Sequence, residues 1–227
     1  MNPKPPMDTP LENAFQRMHS VADSIWSSLA QMRFPSTPAR ILFTSPDPRA
    51  GTTVLSSAAA FGLARNLRCE VTLIEGHLER PALGAYLDLS PARRGLAELM
   101  DGKAQVRDVL ADLNGCPGLS VVPAGRGRPA VAGEFATDIA HNAMKDLTSR
   151  GKYVIIDAPP LIDHPEARML LQYADAVVLV LRARETMRAD AELAQRIARD
   201  SGVEVVGTIL NRFRSDLPFG FGERRSA

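Results

Sequence analysis

From Arg40 onward, short apolar runs alternate with amphipathic segments, and this alternation constrains the fold more than any other feature. Each apolar run lacks a polar face, as expected for parallel strands that helices cover on both sides. The runs are 41–44, 71–74, 119–122, 153–156, 176–181 and 205–210. The segments between them predict helices near 53–66, 94–100, 105–113, 134–149, 165–173 and 186–201. The pattern therefore predicts an α/β fold, with an open, mostly parallel sheet and helices on both faces.

The rest of the chain is predicted to flank one such domain, which spans 39–213. Residues 1–10 are proline-rich and are expected to be disordered. Residues 11–38 are expected to form an amphipathic helix and a linker, because apolar residues recur there at steps of three and four. Residues 214–227 are expected to form a flexible tail. A length of 227 residues with 45% hydrophobic content suits a single compact domain.

Composition argues against several classes of protein. The formal net charge of +1 gives no reason to expect nucleic acid or an anionic membrane as a direct partner. No apolar run approaches the roughly 20 residues that span a bilayer, and the first ten residues lack a hydrophobic signal core. Cys69 and Cys116 have no metal-ligand spacing and are expected to be reduced, packed thiols. We therefore expect a cytoplasmic protein.

The segment after the first predicted strand is the candidate ligand site, because such sheets bind ligands where strands end and helices begin. Residues 45–53 read SPDPRAGTT. A phosphate-binding loop in this place needs glycine for its backbone, a lysine for the outer phosphates and a hydroxyl for magnesium. Gly51 and Thr53 fit this plan. Thr52 occupies the position at which the lysine is needed.

Six motifs in the same order give the chain a resemblance to a known family. They lie at 45–54, 74–81, 95–99, 122–125, 154–160 and 207–212. On these motifs, residues 15–213 resemble the bacterial tyrosine kinases of capsule and exopolysaccharide synthesis, which are P-loop relatives of the Min and Par ATPases. The resemblance implies ATP and magnesium as ligands, Asp157 as the Walker B aspartate and Asn211 as the reader of adenine. It also implies a membrane polysaccharide co-polymerase, the chain-length regulator, as the partner.

Several positions depart from the family pattern. The family's loop glycine, glutamate and lysine are replaced by Arg49, Ala50 and Thr52. In the family's second motif, two aspartates serve magnesium and phosphoryl transfer, and here they are Glu75 and His77. Glu75 keeps the charge on a longer arm, whereas an imidazole is a poor ligand for a hard cation. Two roles are open for His77, which holds a catalytic position of the family: a metal ligand or acid-base group, and, as the favoured one, a neutral surface or loop histidine.

Two further family features are lost from the sequence. The motif that supports ring assembly falls on Asn13, Gln16 and His19, none of which matches it. The family's tyrosine-rich tail has no counterpart, since the three tyrosines lie within the predicted domain, at Tyr86, Tyr153 and Tyr173. His164 follows the Walker B strand and has no partner that the sequence reveals.

Three functions remain open at this point. Removing one well-placed donor from a phosphoryl-transfer site costs roughly 3–4 kcal/mol, so the loss of a lysine together with a magnesium carboxylate predicts very slow turnover. The first function is a non-catalytic pseudokinase that binds ATP and magnesium weakly or not at all, through residues 49–53 and Asn211, with Thr53 and Asp157 as metal ligands. The second is a live ATPase or tyrosine autokinase in which Arg49 and Glu75 are substitutes. The third is a Par-like positioning factor that dimerises across nucleotide.

Overall fold

One seven-stranded sheet organises the part of the chain that the computed structural model describes, namely residues 10–113, 115–126 and 132–212. The strands are β1 (Ala39–Thr44), β2 (Val71–Glu75), β3 (Ala111–Asp112), β4 (Leu119–Val122), β5 (Tyr153–Asp157), β6 (Ala176–Arg182) and β7 (Glu204–Asn211). Their order is β3-β4-β2-β5-β1-β6-β7, and every neighbouring pair is parallel except β3 with β4. The predicted open, mostly parallel sheet is confirmed.

Helices occupy the connections and cover both faces of the sheet. They are α1 (Pro10–Gln31), α2 (Thr52–Leu67), α3 (Leu83–Tyr86), α4 (Leu96–Met100), α5 (Val106–Val109), α6 (Asp138–Leu147), α7 (Pro165–Leu171) and α8 (Arg188–Asp200), with a 3-10 turn at Ala132–Ala136. Within the described ranges, no helix combines the length and the apolar character needed to cross a bilayer.

Two apolar layers lie on opposite faces of the sheet, because successive strand residues point to opposite sides. In β1, Ile41 and Phe43 enter the layer formed with α1 and α2. Leu42 enters the layer formed with α4, α6, α7 and α8. All three side chains are fully buried. Strands with helices on both faces must be apolar at every position, which is the pattern that the sequence shows.

The N-terminal helix α1 packs on α2. Ala22, Ile25 and Leu29 are buried in that contact, as the apolar stripe predicts. The helices approach so closely that a Cβ on Gly62 would lie 2.9 Å from the Cβ of Trp26, and glycine makes this approach possible. Side chains before residue 21, including the positions of the lost ring motif, lie outside the description, as do the predicted disordered start and the tail.

The structure corrects two of the predicted elements. The helix predicted at 105–113 ends at Val109, and the following residues form β3, which pairs antiparallel with β4 at Ala111 and Val121. The last run is predicted to be apolar and buried on both faces, but the structure leaves β7 partly exposed. It lies at the edge of the sheet with β6 as its strand neighbour, and Leu210 is 50% exposed. An edge strand has fewer neighbours to cover it, which its composition alone does not reveal.

The register of the central strands places three chain segments at one end of the sheet. Phe43 of β1 and Glu75 of β2 both pair with Asp157 of β5. The segments that follow these residues therefore leave the sheet side by side, at its carboxyl edge.

Candidate nucleotide site

The loop between β1 and α2 has the tight backbone that a phosphate-binding loop requires. Arg49 and Gly51 both have positive φ, at 64° and 88°. A Cβ on Gly51 would lie 2.5 Å from Nδ2 of Asn211, so both the backbone conformation and the space call for glycine. Ala50 is buried between them, whereas the Arg49 side chain is exposed.

The amino end of α2 faces this loop. Gly51 caps the helix, and within the described chain its first turn has neither a side-chain cap nor an acidic residue. Free N–H groups and the positive end of the helix dipole therefore favour an anion here. Thr52 and Thr53, the first two helical residues, add hydroxyl groups but no charge. The backbone of the cradle is intact, and the cation that would complete it is missing.

The far side of the loop is tied to β6 and β7. The carboxylate of Asp47 accepts hydrogen bonds from Nε of Arg182 and from the hydroxyl of Thr186, both at 2.9 Å. The Asn211 side chain donates from Nδ2 to the carbonyl of Ala50 at 2.7 Å. The carbonyl oxygen of the same amide accepts the N–H of Arg212. Sequence reasoning missed the Asp47 contacts, because their partners lie 135 and 139 residues away.

These contacts bear on the predicted role of Asn211 in reading adenine. Both polar atoms of its side-chain amide already have partners within the protein. One N–H of the amide remains free to donate. In this structure the residue closes the loop, so its contribution to adenine binding stays a prediction.

Asp157 is the most unusual charged group of the site. Its side chain is buried, and neither carboxylate oxygen has a hydrogen-bond partner of good geometry among the described residues. Burial raises its pKa from 3.8 to about 7; the nearby Thr53 and Ser56 hydroxyls oppose this effect, and the charge of Glu75 adds to it. Leaving a buried carboxylate unpaired is costly, so such a group calls for an explanation.

A magnesium ion fits this part of the site. Mg²⁺ takes oxygen ligands, and Asp157 and Thr53 offer a carboxylate and a hydroxyl close together. When bound, magnesium would supply positive charge that offsets the phosphates of a nucleotide. The role of these two residues as metal ligands stays a prediction that their chemistry allows.

Glu75 has a different role from the one predicted. Its buried carboxylate accepts hydrogen bonds from three backbone N–H groups. One oxygen accepts from Ala82 and, at 2.6 Å, from Leu83, while the other accepts from Ala124 at 2.8 Å. Three charge-assisted bonds hold the group in place. This geometry argues against a part in metal binding or catalysis. It indicates that Glu75 holds the surrounding loops together.

The bond from Ala124 belongs to a second close contact, between two of the sequence motifs. Leu96 N–H donates to the carbonyl of Pro123 at 2.8 Å. A Cβ on Gly95 would lie 2.1 Å from the same carbonyl, so the glycine permits the contact. The motifs at 95–99 and 122–125 thus form one packed unit, and Glu75 ties β2 to it.

His77 and His164 lie together beyond the ends of β2 and β5, with ring centroids 5.5 Å apart. Burial, followed by the neighbouring His164, lowers the pKa of His77, which favours the neutral imidazole. His164, for which the sequence reveals no partner, has one in the structure. Its Nδ1 lies 2.8 Å from a carboxylate oxygen of the buried Glu166. His164 and Glu166 both follow Asp157 closely in sequence. Their separation of two residues is the only sequence signal for the contact between them.

Comparison with known proteins agrees with this fold and site. No protein-family model matches the chain. It is 28% identical over 192 residues to the tyrosine-protein kinase Ptk of Acinetobacter johnsonii, an alignment that covers 83% of this chain and 26% of that protein. It is 25% identical over 177 residues to the tyrosine-protein kinase CpsD of Streptococcus agalactiae, covering 78% and 76%. The chain thus corresponds to about a quarter of the first relative's length and three quarters of the second.

Solved structures show the same relationship. The VpsO kinase domain superposes with a TM-score of 0.78 at 25% identity, covering 89% of this chain and 98% of that one. Two archaeal MinD proteins, one of them complexed with Mg-ADP, match at 18% and 20% identity, which shows the fold alone. The parallel sheet and its loop place the chain in the MinD-like class of P-loop NTPase folds. Its homologues within that class are the bacterial tyrosine kinases, as its motifs predicted.

Proposed function

We propose that this chain is a non-catalytic, or very weakly catalytic, relative of the bacterial tyrosine kinases that regulates the synthesis and export of capsule or exopolysaccharide. It acts from the cytoplasmic face by binding a membrane chain-length regulator. Both the pathway and the partner are inferred from the homology to the kinases. The partner supplies the attachment to the membrane.

One observation carries the proposal. Thr52 occupies the position in the loop where a cation must neutralise the outer phosphates, on an otherwise well-formed cradle. Two contacts support it. Glu75 is held by three backbone N–H groups, and Asn211 is held by the loop itself. Arg49 is exposed, so its guanidinium has no fixed position from which to replace the lysine.

A second candidate is a live ATPase or autokinase, and Asp157 favours it. A buried carboxylate beside Thr53, with no hydrogen-bond partner of good geometry in the described part of the chain, is the arrangement that a magnesium ion would stabilise. On this view, the site still binds Mg-ATP and turns it over with a different source of charge. Tyr153 and Tyr173 are buried, which makes both poor acceptors for a phosphoryl group.

A titration of ATP and magnesium by calorimetry, paired with a hydrolysis assay, separates the two candidates. The proposal expects weak binding by the natural protein and turnover far below the about 1–100 s⁻¹ typical of kinases. Thr52→Lys should tighten ATP binding about 10–100-fold, the value of one hydrogen bond to a charged group. Val54→Lys is the matched control, since it adds the same charge at an exposed position two residues further on and should have little effect.

Turnover within the kinase range that disappears in Asp157→Asn would overturn the proposal in favour of the live enzyme. A test in cells addresses the role in the pathway. In a strain lacking this protein, a non-catalytic regulator predicts that Asp157→Asn restores polymer length as well as the natural protein does. A variant that fails to restore it, although present at normal abundance, would contradict a role independent of nucleotide chemistry.

A further inference from the structure

A cluster of metal-ligating side chains lies beside the candidate nucleotide site. Glu79, His164 and Glu166 each offer one ligand atom, and the three atoms lie within 4.8 Å of one another. Glu79 belongs to the segment after β2, whereas the other two lie at the start of α7, after β5. Residues 85 or more positions apart in sequence thus converge on one point at the carboxyl edge of the sheet.

His77 places a second imidazole beside this cluster. Its Nε2 is shielded from solvent and has no hydrogen-bond partner within the described part of the chain. Its ring stands edge to face against His164, and the charges of Glu166 and Glu79 both act on it. A buried nitrogen without a partner is costly unless a ligand satisfies it.

We propose that His77, Glu79, His164 and Glu166 form a binding site for a divalent transition-metal ion of the zinc type. Two imidazoles and two carboxylates match the nitrogen and oxygen ligands that Zn²⁺ takes in proteins. Magnesium prefers oxygen ligands alone. The site is therefore chemically distinct from the pair formed by Asp157 and Thr53.

The ligand atoms of Glu79, His164 and Glu166 need only small movements to bind such an ion. Ligand atoms about 2.0–2.2 Å from a tetrahedral metal lie roughly 3.4 Å from one another. Nδ1 of His164 and the Glu166 carboxylate, now 2.8 Å apart, would separate slightly. Glu79 is exposed and can swing inward.

The bound ion would join two segments that border the nucleotide site. The segment with His77 and Glu79 leaves β2 just after Glu75, and the segment with His164 and Glu166 follows Asp157. These two strand ends are paired in register. Metal binding would therefore hold together the two loops that follow the acidic positions of the site.

A zinc titration against a chromophoric chelator tests the site, with no nucleotide and with millimolar magnesium present. The expected result is one Zn²⁺ per chain. Glu79→Gln changes an exposed side chain, so it should fold normally, and it should weaken binding at least about 10-fold. His164→Ala should weaken binding by as much or more. His141→Ala is the matched control, because that histidine pairs with Tyr173 elsewhere, and its zinc affinity should be unchanged.

Cobalt substitution provides a second readout. The expected Co²⁺ spectrum has the intense visible bands of tetrahedral nitrogen and oxygen coordination. An affinity for zinc that is the same in Glu79→Gln, His164→Ala and the natural protein would overturn the proposal. A thiolate-to-cobalt charge-transfer band would also overturn it, because the ion would then lie on Cys69 or Cys116.

Discussion

Replacing Asp157 with asparagine should make the free energy of unfolding depend markedly less on pH. In the folded state, burial raises the pKa of this carboxyl from 3.8 to about 7. Between these two values, the unfolded chain is ionised while the folded chain keeps the proton. The folded state therefore binds more protons, and its stability falls as the pH rises from about 4 to about 7. At about 1.36 kcal/mol for each pH unit, the loss is on the order of 4 kcal/mol.

Asparagine has nearly the same shape and no charge to desolvate, so Asp157→Asn removes this loss. Urea unfolding of the magnesium-free protein at several pH values from 4.5 to 8 measures the effect. We expect the stability of the variant relative to the natural protein to rise by about 3 kcal/mol across this range, since the first part of the loss lies below pH 4.5. Any cost of burying the amide is the same at every pH. Subtracting the stability of one protein from that of the other also cancels the contributions of other titrating groups. One of these is the carboxyl of Asp175: burial acts to raise its pKa, but hydrogen bonds from Arg40 and Ser36 lower it.

Asp163→Asn is the matched control, since it removes one negative charge at an exposed position nearby and should show no such trend. Adding magnesium should stabilise the natural protein at pH 8 and narrow its difference from Asp157→Asn, because a bound cation favours the ionised carboxylate. A stability difference between the two proteins that stays constant within about 1 kcal/mol from pH 4.5 to 8 would refute the reasoning. It would mean that water or a protein group satisfies the carboxylate.

Three further changes test the contacts around the loop. Glu75→Gln should lower the free energy of unfolding by about 2–4 kcal/mol, because the NH₂ group of an amide cannot accept the hydrogen bonds that one carboxylate oxygen accepts. An unchanged urea midpoint would show that Glu75 does not hold the surrounding loops together. Gly51→Ala should lower the free energy of unfolding by about 1–3 kcal/mol, because alanine disfavours the positive φ at this position. Adding Asn211→Ala should recover only the part of this loss that comes from the 2.5 Å contact with the Asn211 side chain. Thermal unfolding measures both effects. Asp47→Ala should leave the global stability nearly unchanged but speed amide hydrogen exchange in the loop, and exchange rates equal to those of the natural protein would rule out the tie to Arg182.

Much of the fold could be predicted because its signals are local. Apolar runs without a polar face predicted the parallel strands, and their order in sequence predicted where the candidate phosphate loop lies. The failures have physical causes as well. The two residues of β3, Ala111 and Asp112, do not by themselves exclude a helix, and pairing with β4 makes them a strand. Similarly, β7 reads as a buried run, but its place at the edge leaves Leu210 half exposed.

The residues of the candidate site also fall into those whose place the sequence could predict and those whose contacts it could not. Gly51, Thr52 and Thr53 could be assigned from spacing alone, because a loop and the helix after it are contiguous in the chain. The role of Glu75 could not, since its three N–H donors come from residues 7, 8 and 49 positions away. A sequence motif identifies a carboxylate but not the groups that occupy its oxygens.

By itself, then, the sequence determined the class of fold, the position of the phosphate loop and the loss of its lysine. These follow from hydrophobic periodicity and from the order of residues within one connection. Only the tertiary structure decided that, among the described residues, Asp157 has no hydrogen-bond partner of good geometry while Glu75 has three, and that His77 meets His164. Hydrogen-bond satisfaction and desolvation depend on which distant segments converge at the end of the sheet, and no local pattern in the sequence records that convergence.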